Sequence, residues 1–211
     1  MSNDNLELWN SVCQTATGNT KKAKKSGMRI TAICPQSQRK AATKVFGPFG
    51  KGWGVKGGEY TFLDFFDQTK LCTYTAELWY TQKDVSYGFP IQANIKVCFK
   101  TQGEKGYLKI DDEYAKKVAT DALTKGLSML GFNSDIFEGK YDDNKYVQQV
   151  DNEIAAKEYE VEFDKYADHI RSCLTIDELK ALWANIPNNF KEGLKDLLDA
   201  VKLAITEEAK K

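Results

Sequence analysis

The sequence predicts an α+β fold: an antiparallel sheet packed on a long helix, followed by a C-terminal helical region. Three observations carry this prediction. The stretches "LCTYTAELWYT" and "FPIQANIKVCFK" alternate apolar and polar residues with the period of a half-buried strand. The stretch "DDEYAKKVATDALTKGLSMLGF" then repeats apolar residues every three or four positions, the period of an amphipathic helix. Beyond residue 150 glycine disappears apart from Gly193, and helical patterning runs on. A chain of 211 residues, 42% hydrophobic and 28% charged, suffices for one good-sized domain with a helical appendage.

Residues 1–30 hold a short apolar cluster (Leu6, Leu8, Trp9, Val12) and then "TKKAKKSGMR". Four lysines in five positions repel one another, so a mobile basic arm is expected, ordered by an anion. "PQSQRKAATKVF" reads as a helix with an apolar stripe of Ala41, Ala42, Val45 and Phe46, and Arg39, Lys40 and Lys44 lie off that stripe. "FGPFGKGWGVKGG" follows, with six of the chain's 15 glycines in thirteen positions, and "EYTFLDFF" reads as a strand.

In the next strand Cys72, Tyr74, Ala76, Leu78 and Tyr80 point one way, and Thr73, Thr75, Glu77 and Trp79 the other. "KDVSYG" reads as the hairpin connection. After it, Phe89, Ile91, Ala93, Ile95, Val97 and Phe99 share one face, with Gln92, Asn94, Lys96 and Lys100 on the opposite one. One face is therefore buried and the other wet, as in an antiparallel sheet covered on one side.

The long helix carries the stripe Ala115, Val118/Ala119, Ala122/Leu123, Leu127 and Leu130. Asp111, Asp112 and Glu113 suit its positive end, and Gly131 suits its C-terminal cap. Lys117, Asp121, Thr124, Lys125 and Ser128 lie off the stripe. Further on, Thr175 and Glu178 form a capping box, Pro187 breaks the chain, and Asn188 or Asn189 caps the last helix. The expected organisation is a basic arm (1–30), a core (31–150) and an acidic helical region (151–211).

A net charge of zero conceals an asymmetry: +8 over residues 1–56, −3 over 57–150 and −5 over 151–211. A basic front end suggests a polyanionic partner, nucleic acid first. The five cysteines are odd in number and widely spaced, so free thiols in a reducing cytoplasm are expected, with no zinc site and no disulfide framework. The sequence has neither a signal-peptide layout at its start nor an eighteen-residue apolar run, and no membrane partner is expected.

Gly52 to Gly57 spell G-x-G-x-x-G. A dinucleotide site needs a strand before and a helix after this pattern, and here the order is reversed. Lys51 is followed by Gly52 rather than Ser or Thr, so a Walker A loop fails as well. We expect no cofactor, and turn-forming or close-approach roles for the glycines. His169 is the only histidine and reads as a surface residue of a C-terminal helix. Asp111-Asp112 and Asp142-Asp143 are acidic pairs suited to caps and turns, so no catalytic residue and no metal site is expected. A metal-dependent nuclease using Asp112, Asp142 or Asp143 is the enzymatic alternative.

Cations do mix with aromatics. Arg39, Lys40, Lys44, Lys51 and Lys56 flank Phe49 and Trp53, and Lys96 and Lys100 stand on a wet strand face. Such a surface can track phosphates and stack bases. Core packing is the alternative role for both aromatics.

Taken together, "SQRKAATKVFGPFGKGWGV" and "EYAKKVATDALTKGLSMLGF", the latter leading to "DIFEGKYDD", resemble the single-strand annealing proteins of the Rad-fifty-two superfamily, most closely their phage and prophage members. The resemblance covers about residues 25–147. It implies a β-β-β-α core, assembly of subunits into a ring or helical filament by sheet extension, and single-stranded DNA held in a basic groove with its bases exposed. It implies no use of ATP and a place in the bacterial host cytoplasm. On the matching positions it offers Arg39, Lys40, Lys44, Lys51, Lys96 and Lys100, and adds Lys117 and Lys125 of the long helix as DNA contacts. Eukaryotic relatives carry several basic residues mid-helix, where this chain has Thr124 and Ser128. The acidic C-terminal helices lie outside the resemblance; similar acidic tails in phage recombination proteins suggest recruitment of a host single-strand-binding protein or regulation of assembly, and packing onto the core is the alternative. A plain single-strand-binding module without annealing activity is a further reading.

Overall fold

The computed structural model describes residues 4–25, 28–66, 68–101 and 106–208. The fold is α+β, with two compact units, 1–150 and 151–211. The first unit contains α1 (Glu7–Val12), β1 (Thr20–Lys25), β2 (Met28–Ile33), α2 (Pro35–Phe46), β3 (Trp53–Asp64), β4 (Lys70–Gln82), β5 (Val85–Lys100), β6 (Leu108–Ile110), α3 (Tyr114–Met129) and α4 (Ser134–Phe137). Strands β3-β4-β5-β6 form one antiparallel sheet in that order, and β1 and β2 form a separate hairpin.

The alternation in β4 and β5 produces the core. Cys72, Tyr74, Ala76 and Leu78 lie on one sheet face with Ile91, Ala93 and Val97, and bury against Val118, Ala122, Leu123 and Leu127 of α3. Each large apolar side chain buried this way contributes about 1.5–3 kcal/mol. The helix comes close because Gly126 has no side chain: a Cβ there would stand 2.5 Å from Cγ2 of Ile91. Gly131 ends α3 at φ +100°, with its N–H donating to the Ser128 carbonyl (3.0 Å) and that of Phe132 to the Leu127 carbonyl (3.3 Å), the paired bonds of a Schellman cap.

The opposite sheet face is built in cross-strand rows: Gly54–Trp79–Gly88, Lys56–Glu77–Pro90, Glu59–Thr75–Gln92, Thr61–Thr73–Asn94 and Leu63–Leu71–Lys96. Its polar rows are exposed on β3 and β5.

Several local expectations need correction. The lysine-rich stretch is strand β1, not a mobile arm. Successive strand side chains point to opposite faces, which separates neighbouring ammonium groups. The partner strand sets Lys21 opposite Ala32 and Lys22 opposite Thr31. In α2 the buried line is Gln38, Ala42 and Phe46, while Val45 is exposed. The hairpin between β4 and β5 turns on Lys83 and Asp84 alone, both at positive φ, and "VSYG" already belongs to β5. The glycine-rich stretch runs without a break into β3, which starts at Trp53 and includes "EYTFLD".

A buried polar knot ties the N-terminal segment to α4. Asp135 accepts hydrogen bonds from Thr15 N–H (2.8 Å), Thr15 Oγ1 (2.7 Å) and Tyr146 OH (3.2 Å). Burial, reinforced by the Asp135 carboxylate, pushes the Tyr146 hydroxyl well above its ordinary pKa.

The second unit comprises α6 (Ile176–Asn185), α7 (Asn188–Glu208) and most of α5 (Asn144–Ser172), around Ala167, Ile170, Leu179, Ile186, Phe190 and Leu194. The Thr175–Glu178 capping box forms in both directions. Asn188 and Asn189 lie inside α7 rather than capping it, and Phe190 N–H donates to the Pro187 carbonyl.

Candidate nucleic-acid interface

Helix α2 buries Gln38, Ala42 and Phe46, so its 3.6-residue period leaves Lys40 and Lys44 on the outermost line. The buried side is fixed by Phe46, whose ring meets Tyr80 at 4.9 Å and Phe132 at 5.8 Å. It is fixed again by Gln38, whose amide Nε2 donates to the Thr124 carbonyl (3.3 Å) and to Ser128 Oγ (3.2 Å). The chain then leaves the helix through Gly47 (φ +92°) and Gly50 (φ +83°). Gly52 sits against the helix end, where a Cβ would be 1.7 Å from the Phe46 carbonyl oxygen.

Trp53 is core: it is 1% exposed and its indole N–H donates to Thr43 Oγ1 (3.3 Å). Phe49 is 59% exposed and meets Trp53 edge-on with ring centres 5.0 Å apart. Arg39, Lys40 and Phe49, with Gln36, Ser37 and Thr43, line an open cleft of about 520 Å³ over Trp53. Lys44 borders a smaller cleft of about 190 Å³, shared with Gln14, Asn19 and Val45. Lys51 is exposed in the turn that joins α2 to β3.

Among the described residues, Arg39, Lys40, Lys44 and Lys51 have no carboxylate partner; the Arg39 guanidinium touches only Gln36 Oε1, at 3.5 Å. The remaining candidate cations are elsewhere. Lys56 lies on the outer sheet face, 3.0 Å from Glu77. Lys117, exposed on α3, holds Asp111 (2.7 Å) and Glu113 (3.7 Å) just before the helix, and Lys125 holds Asp121 (2.7 Å) on its exposed side. The hydrogen bond from Lys117 keeps the Asp111 carboxyl below the usual range, and the same bond raises the Lys117 ammonium. Lys96 and Lys100 are exposed near the far end of the sheet, where Lys96 borders an apolar cleft with Phe65, Phe66 and Leu71. The fold thus gathers Arg39, Lys40, Lys44 and Lys51 around α2 and its turn, and does not bring the other five to them.

No protein-family model and no curated protein matches this chain.

The basic hairpin adds cations that the sequence placed on a loose arm. Lys21 and Lys22 are exposed on β1, and β2 feeds directly into α2 through Cys34. The Cys34 thiol is held below its ordinary pKa, first by the backbone N–H of Ser37 in the first turn of α2, with Lys21 a smaller contributor. Only the lysine density of that stretch announced these residues.

The acidic pairs do not assemble a site. Asp143 Oδ1 accepts the Lys145 N–H (2.8 Å), Asp111 is tied to Lys117, and Asp112 and Asp142 are exposed. Among the described residues, no three His, Cys, Asp or Glu side chains converge on one point. His169 is exposed on α5, and among the described residues no helix is long and apolar enough to cross a membrane.

Proposed function

We propose that this chain binds single-stranded DNA and anneals complementary strands without ATP, as the resemblance to the Rad-fifty-two superfamily implies. The observation that carries the proposal is the uncompensated cation group Arg39, Lys40, Lys44 and Lys51 beside the exposed ring of Phe49. Annealing two strands is downhill but slowed by repulsion between polyanions. A row of unpaired cations neutralises one backbone and releases its counterions, while bases stay free to pair. Pairing itself then supplies the sequence selectivity, so no catalytic side chain is required. Oligomeric assembly is part of the proposal. Two sheet edges support it: β3 is a terminal strand, and β5 is paired by β6 only at Cys98, Phe99 and Lys100. The acidic second unit, net −5 by sequence, is the proposed contact for a host single-strand-binding protein.

The test mixes labelled complementary oligonucleotides with the protein, without ATP and with or without magnesium. Faster duplex formation in both conditions is expected. Magnesium-dependent strand cleavage would instead establish the nuclease, and binding without acceleration the plain binding module. The double variant Lys40→Glu/Lys44→Glu is expected to keep the fold, bind more weakly and show a log K against log[salt] slope shallower by about 1.4.

A further inference from the structure

Trp79 lies on the outer sheet face at the end nearest the glycine-rich turn. Its row is Gly54–Trp79–Gly88, so neither neighbouring strand offers a side chain beside it. A Cβ on Gly54 would stand 3.0 Å from Nε1 and 3.2 Å from Cε2 and Cζ2 of the indole. Three contiguous ring atoms at nearly equal distance mean that the indole lies across Gly54, and Gly54 is buried beneath it. A tryptophan that serves packing is gripped by side chains from adjacent strands. Here the indole rests on backbone and is half-buried, with Lys56, Gly88 and Pro90 exposed around it.

We infer that Trp79 is a stacking platform for one base of the bound single strand, with Lys51 and Lys56 serving the phosphates on either side. The inference rests on the DNA-binding reading and extends its path. Lys51 stands two residues after Phe49, which borders the α2 cleft. It immediately precedes Gly52, whose carbonyl accepts the N–H of Thr81 (2.8 Å), two residues from Trp79. Lys56 follows Gly54 by two strand positions on the same face, a step of about 7 Å. A strand leaving the cleft therefore meets Lys51, then the indole, then Lys56. The Lys56–Glu77 pair is exposed and weakly held, so a phosphate can compete for the ammonium. Stacking is indifferent to sequence because every base has a π-face, which suits a protein that leaves sequence reading to base pairing.

The experiment compares an oligothymidylate with an abasic oligonucleotide of the same length, using the full chain, Trp79→Leu and Trp79→Phe. The wild type is expected to prefer the base-bearing strand by about fivefold or more. Trp79→Leu should lose that preference and keep its affinity for the abasic strand, while Trp79→Phe retains most of it. If Trp79→Leu fails to fold, 5-fluorotryptophan NMR of the wild type decides, with Trp79→Phe assigning the signal. The Trp79 resonance should shift with the base-bearing strand and stay in place with the abasic one. Binding that ignores the bases, or an equal loss on both strands, overturns the platform while leaving the DNA-binding reading intact. Absence of binding to either strand overturns that reading and the platform with it.

Discussion

At the residue scale, Gly52 shows why a glycine-rich stretch need not hold a nucleotide. Its missing side chain makes room for the Phe46 carbonyl, which a Cβ would approach to 1.7 Å. Gly54 makes room for the Trp79 indole, and Gly47 and Gly50 supply positive φ at the helix exit. Each of these four glycines thus has a separate steric or backbone cause that does not depend on the G-x-G-x-x-G spacing. Gly52→Ala is expected to destabilise the first unit by about 3 kcal/mol or more, because backbone rather than a flexible side chain must yield. Gly18→Ala, where nothing stands within 4 Å of the new methyl, is the neutral control. Urea titration decides between them, through a lowered midpoint at unchanged slope for Gly52→Ala. Trp53 and Phe49 illustrate the limit of a local reading. Four positions apart, they look alike in sequence, yet one is core and the other exposed.

At the element scale, the joint between α2 and α3 sets where the basic line faces. Ala42 and Phe46 announce an apolar stripe, but the third buried member of the line is polar. Gln38 was invisible to periodicity because its burial depends on acceptors almost ninety residues away: the Thr124 carbonyl and Ser128 Oγ. Gln38→Leu should cost about 1–3 kcal/mol by leaving those acceptors short of a donor. Gln38→Glu should be worse, and worse at pH 8 than at pH 5. A carboxyl facing carbonyl oxygens has its folded pKa raised, so the charged form is penalised and stability falls as pH rises through the unfolded value. Thermal melts at the two pH values measure this, and a variant equally stable at both would contradict the buried geometry. The β1–β2 hairpin makes the same point for strands. Dense lysines argue against order only if neighbouring side chains share a side, and strand pairing with Ala32 and Thr31 sends Lys21 and Lys22 to opposite faces.

At the scale of the whole molecule, charge placement matters more than charge count. Nine cations were candidates, but carboxylates sit on Lys56, Lys117 and Lys125, and Lys96 and Lys100 lie near the far end of the sheet. Four uncompensated cations near α2, joined by Lys56 where a phosphate displaces Glu77, predict a log K against log[salt] slope of about −3.5 per protomer for single strands, against about −6 if all nine contacted phosphate. A salt titration of oligonucleotide binding separates the two. By itself the sequence determined the class of the fold, the inward faces of β4, β5 and α3, the capping box of α6 and the basic bias of the front end. These follow from period, local chemistry and composition, which are properties of neighbours along the chain. Tertiary structure alone decided that Trp53 is core, that Gln38 is buried, that the lysine-rich stretch is a strand and which lysines keep free charge. Those outcomes depend on contacts between residues far apart in the chain, such as Lys56 with Glu77 or Gln38 with Ser128, and no local pattern encodes such a meeting.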